Sequence, residues 1–179
     1  MARGSRLNSS SGNYDAKVGG MRQLTGSITL TNDDSGSLFV LNSTSALTVT
    51  LPTDANCDIG CHYKFIVQTT NDNAYTISTG DNADSGGDDY STRNFGSCVV
   101  DDFVGGVILA STTAGYGFAV VPAANDCNII LDGNLADTGG EKGSWVDVTK
   151  ITADEWMVQG CVYSDDADTD GTALFTDTD

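Results

Sequence analysis

The stretch from Leu24 to Thr69 constrains this chain most, because its apolar residues recur at every second position in short runs separated by turn residues. Leu47, Val49 and Leu51 alternate with Thr48 and Thr50 before Pro52 closes the run. Cys61, Tyr63, Phe65 and Val67 share one face, opposite His62, Lys64 and Gln68. A period of two marks half-buried strands, and short runs with turns between them predict antiparallel sheet. Between the runs, NDDSG and TDANCDIG supply the Asp, Asn and Gly that turns need.

The same pattern extends beyond the opening stretch. It predicts strands near 27–31, 38–42, 47–51, 61–69 and 75–79, then near 97–100, 104–110, 116–121, 127–132, 145–150 and 156–163. Residues 80–96, GDNADSGGDDYSTRNFG, show no periodicity and read as a long acidic loop, a length that usually serves a function or a partner. Thr152 and Glu155 have capping-box spacing, but Gly160 and the Val/Tyr-rich continuation predict a turn followed by a strand. With 179 residues, 39% of them hydrophobic, the chain holds enough apolar side chain for one all-β domain with a real core. The 21 Gly against 2 Pro suit a turn-rich β protein. The expected architecture is an antiparallel β-sandwich or barrel-like domain over 25–163. An extended basic arm over 1–24 precedes it and an acidic tail over 164–179 follows.

Charge narrows the partners. Twenty-five acids against 8 bases leave a net charge of −17, so the body is not expected to bind nucleic acid, whose phosphates need Lys and Arg. Only Glu141 and Glu155 among the acids are Glu, which fits acids used as turn residues. The bases cluster: Arg3, Arg6, Lys17 and Arg22 are half of them, and Asp15 is the one acid in the first 22 residues. Such a start is either a loose terminus or an arm that docks on a partner, and the docking arm is the expectation adopted. No apolar run approaches the ~18 residues of a membrane span, and no apolar stretch follows the start, so neither a span nor a secretion signal is expected. Five cysteines, Cys57, Cys61, Cys98, Cys127 and Cys161, show no disulfide-framework spacing, and reduced thiols are expected. Cys61, Cys127 and Cys161 fall in predicted strands, where a free Cys acts as a small hydrophobe.

Candidate chemistry is sparse. His62 is the sole histidine. With Cys57 and Cys61 it forms a C-x3-C-H cluster that could be half of a zinc site, although His62 falls on the polar face of its strand. No cysteine sits in a nucleophile signature, and with so many acids any carboxylate pair is uninformative. No enzyme activity and no cofactor are expected. The one metal alternative is calcium: Asp166, Asp168, Asp170 and Gly171, with Asp177 six residues on, follow the D-x-D-x-D-G loop pattern with Asp in place of the closing Glu. A solvated acidic tail explains the same residues. Trp145 and Trp156, in the last predicted strands, are either sheet packing or an exposed platform for glycan stacking.

The run SITLTNDDSGSLFVLNSTSALTVTLP, followed by CHYKFIV and an YTI strand, resembles a β module of the structural proteins of tailed bacteriophages, particularly marine phages. Trp156, Val158 and Gly160 resemble the W-x-V-x-G pattern near that module's end. The likeness spans roughly residues 24–163, most closely 27–79 and 144–160; the cysteines, the 80–96 loop and the acidic tail depart from it. The resemblance implies a virion structural protein with no catalytic residues. The form expected is a head decoration (cement) protein, a homotrimer made in the host cytoplasm and bound to the outer surface of the capsid. Its partner is then the major capsid protein, with Arg3, Arg6, Lys17 and Arg22 as docking residues and no membrane or nucleic acid involved. The alternative is a fibre or head-appendage module binding host glycans, with Tyr90 and Phe95 of the acidic loop among its contacts.

Overall fold

The computed structural model describes residues 20–53, 56–79, 102–113, 115–124, 126–134, 138–165 and 173–176. The chain is all-β, apart from a short 3-10 turn at Asn32–Asp34. Its strands are β1 (Met21–Leu24), β2 (Ile28–Thr29), β3 (Leu38–Leu41), β4 (Leu47–Thr50), β5 (His62–Val67), β6 (Tyr75–Ser78), β7 (Asp102–Ser111), β8 (Gly117–Val120), β9 (Asn128–Leu131), β10 (Trp145–Lys150), β11 (Glu155–Ser164) and β12 (Phe175–Thr176). They form two sheets, a seven-stranded one in the order β1-β3-β5-β10-β11-β7-β8 and a five-stranded one in the order β12-β9-β6-β4-β2.

The alternation that predicted strands found them, but the direction in the first half differs from the expectation. Odd strands β1, β3 and β5 pair parallel in the larger sheet, and even strands β2, β4 and β6 pair parallel in the smaller one. The chain therefore steps from one sheet to the other and back, three times, as a coil. The antiparallel pairing expected for Leu24–Thr69 is corrected to parallel. The reason is physical: a period of two records which face is buried and is the same in either direction. Direction depends on whether a link folds back beside its own strand or crosses to the opposite sheet, and here every link crosses.

Side chains hold successive turns of the coil in stack. Buried Asn71 donates from Nδ2 to the carbonyls of Ser45 (2.9 Å) and Ala74 (3.3 Å), and its Oδ1 accepts the Asn73 amide at 3.0 Å. The Tyr75 hydroxyl accepts the Ser43 amide and reaches the carbonyls of Ser43 and Thr69 at 2.7 and 2.8 Å. These bonds tie the β3–β4 turn to the β5–β6 turn and help satisfy the turns' backbone groups.

The second half closes the sandwich with antiparallel hairpins and one long parallel pairing. β10 and β11 form a hairpin whose β10 side pairs with β5, and β7 pairs parallel with β11 and antiparallel with β8. The turn before β11 is the predicted one: Asp154 N donates to Thr152 Oγ1, and the strand starts at Glu155. Both halves fill one core. Phe39 stacks on Phe65 with centroids 5.5 Å apart, and Tyr63 meets Trp156 at 6.0 Å. From the smaller sheet, Leu47, Val49, Ile77, Ile129 and Leu131 complete it. Gly160, opposite Val146, allows β10 and β11 to approach: a Cβ there would lie 2.3 Å from the Trp145 carbonyl oxygen.

Both ends of the sheeted region reach further than expected. β1 begins at Met21, inside the stretch assigned to the arm. β12 lies in the acidic tail, where Leu174 and Phe175 are buried and Phe175 pairs with Ile129 of β9. Cys127 is disulfide-bonded, which corrects the expectation of a reduced, merely hydrophobic residue, while Cys57, Cys61 and Cys161 are free thiols. The strand predicted near 97–100 and the 80–96 loop lie outside the described residues.

Candidate interaction face

Alternation along a strand sends every second side chain away from the core. Read across the register, the outward positions of the seven-stranded sheet form rows. One row is apolar across consecutive strands: Val40 of β3 pairs with Ile66 of β5, Ile66 with Trp145 of β10, Trp145 with Cys161 of β11, Cys161 with Ile108 of β7, and Ile108 with Ala119 of β8. None belongs to the buried core, and Ile108 is 45% exposed. At ~4.8 Å between strands the band is on the order of 24 Å wide. The next row runs Met21, Leu38, Lys64, Asp147, Gln159, and the one beyond it His62, Thr149, Met157, Val104. Among the described residues of these three rows, Asp147 is the one acid, in a chain that carries 25. Val121 is 68% exposed and lies beside Gly106 at the β8 edge.

Trp145 sits mid-band with the Lys64 ammonium 4.2 Å from its ring centroid, so one ring face already carries a cation. Trp156 is fully buried. Of the two tryptophans considered for glycan stacking, one is core and the other is engaged by Lys64.

Cys57 and Cys61 lie just ahead of β5, beside Asn32 and Tyr63. Cys61 Sγ lies 2.8 Å from Asn32 Oδ1 and 3.2 Å from the Tyr63 hydroxyl, which donates to the Thr31 carbonyl at 2.9 Å. Burial, reinforced by the hydrogen bond to Cys61, pushes the Cys57 thiol up to about 12, and burial with the same neighbour raises the Tyr63 phenol. These groups stay protonated at neutral pH, and a thiol is a poor nucleophile. His62 points to the opposite face from Cys61, as the alternation required. Among the described residues no three His, Cys, Asp or Glu side chains gather as a metal site.

Of the predicted docking residues, Arg3, Arg6 and Lys17 lie outside the described residues, and Arg22 is on edge strand β1. Arg22 pairs with the Asp34 carboxylate and lies 5.4 Å from the Phe39 ring centroid. Asp34 also accepts the Thr31 amide and hydroxyl, so Arg22 locks β1 to the 3-10 turn. The calcium-pattern residues Asp166, Asp168, Asp170 and Asp177, and the loop aromatics Tyr90 and Phe95, lie outside the described residues. No helix among the described residues is long and apolar enough to cross a membrane.

The outer apolar band was not anticipated, although its signal is in the sequence. FVL, KFIV, VGGVIL and MVQGCV are apolar at both parities of the period, as strands covered on both faces are. Compared with protein-family models, with curated proteins and with solved structures, the chain gives no match.

Proposed function

We propose that this chain is a non-enzymatic structural component of a tailed-phage virion, a decoration (cement) protein held on the outer surface of the head. The observation that carries the reading is the outer face of the seven-stranded sheet. A chain of net charge −17 that keeps one apolar row across six strands of a sheet face, with a single acid in that row and the two beside it, presents a surface suited to cover by protein. The resemblance of 27–79 to phage structural modules supports the same role, since those residues span most of the coil.

Docking on the major capsid protein falls to the basic segment before β1. Arg22 is occupied within the domain, which leaves Arg3, Arg6 and Lys17 as the residues that meet an acidic capsid surface. Many such weak contacts repeated over a shell sum to stable decoration. The test is co-sedimentation with undecorated heads. Reversing Arg3, Arg6 and Lys17 to Glu is expected to abolish binding while the thermal midpoint stays unchanged; undiminished decoration by that variant overturns the docking arm.

A further inference from the structure

We infer that the outer face of the seven-stranded sheet is a two-fold contact between two copies of this chain. The inference rests on reading that face as an assembly surface and names what covers it. Size comes first. Three rows of residues at ~3.3 Å rise span about 13 Å along the strands, so with a band on the order of 24 Å wide the face offers roughly 300 Å² in projection, below the ~800 Å² each partner gives to a standard interface and in the range of weak, reversible pairs.

Charge then selects the partner. Lys64 and Asp147 are directly paired on β5 and β10, one row from the apolar band. A two-fold axis along the strands, between β5 and β10, places Lys64 of each copy against Asp147 of the other. The same operation sets Ile66 against Trp145 and Val40 against Cys161, apolar on apolar, with Gln23 of β1 against Ile108 at the end of the row. The face is thus complementary to itself. A ring of three needs two different complementary patches on each copy, whereas one self-complementary patch closes as a pair; the two-fold contact therefore replaces the trimer that the resemblance suggested. Because each copy carries −17, added salt is expected to tighten the pair by screening the repulsion between the acidic remainders.

The test uses the full chain alone, by sedimentation equilibrium. Wild type is expected to dimerise, more tightly as salt rises, and Ile66→Glu to sediment as a monomer with an intact fold by circular dichroism. Lys64→Asp and Asp147→Lys are each expected to weaken the dimer on the order of tenfold, because like charges then face each other across the axis. Mixing those two variants in equal amounts is expected to restore association, since an acidic pair then meets a basic pair. A wild-type monomer at the highest soluble concentration, a dimer untouched by Ile66→Glu, or a mixture that does not recover overturns the inference. A monomer that still decorates heads overturns the two-fold contact alone; a dimer that binds no head supports the contact and overturns the cement reading.

Discussion

The coil of β1–β6 and the closing half built from β7–β11 use the same apolar alternation and reach different topologies, parallel in the coil and mixed in the closing half. Within the coil, each strand's neighbour lies one full turn away in sequence and runs parallel, and side-chain bonds from Asn71 and Tyr75 hold the turns in stack. In the closing half, β10–β11 and β7–β8 are local antiparallel pairs drawn together by close backbone approach, as at Gly160. The difference teaches that alternation sets burial while the links set direction. Stability should therefore fail by different routes in the two halves, yet globally in both, because Phe65 and Trp156 belong to one cluster.

The largest expected effect tests that shared core. Phe65→Ala should cost about 3–5 kcal/mol and keep a single unfolding transition in denaturant; two separated transitions would show that the halves fold independently. Next comes Gly160→Ala, where the new Cβ must displace the Trp145 carbonyl, at about 1–3 kcal/mol by the same titration. Asn71→Ala removes two donated bonds to the Ser45 and Ala74 carbonyls and the acceptor of the Asn73 amide, and should also lose about 1–3 kcal/mol. Hydrogen exchange separates the two: Asn71→Ala should speed exchange in β4 and β6, Gly160→Ala in β10 and β11.

The smallest effect is on pH dependence. The ordinary Cys57 thiol value of 9.0 rises to about 12 in the fold. Between those values the unfolded chain has lost a proton that the native chain keeps, so stability is full below about 9 and falls as pH climbs toward 12. Tyr63, raised by burial, adds to the fall in the same direction. Alkaline melting of Cys57→Ala should show a shallower decline than wild type; an equal slope would mean that the cysteine cluster is not the source.

Much of the fold was legible in the residues, and what escaped has identifiable causes. Strands with one apolar face, such as LTVT of β4, announce themselves, whereas β1, MRQL, buries only Leu24 and reads as arm. β12 is two residues in an acidic stretch, recognisable only once Leu174 and Phe175 are seen in the core. The disulfide at Cys127 carries no spacing signal. Arg22 looked like one of four docking bases because charge clustering in sequence does not reveal Asp34, which the first turn of the coil brings beside it. The outer band is hard to see in the residues because Ile66 falls among His62, Lys64 and Gln68, which give the outer side of β5 a polar cast.

Electron cryomicroscopy of intact virions tests the central claim most directly. The account predicts copies of this domain on the outer surface of the head, with residues 1–19 against the major capsid protein and the smaller sheet turned away from the copy-to-copy contact. Density for the domain at a fibre tip, or its absence from the head, would contradict it.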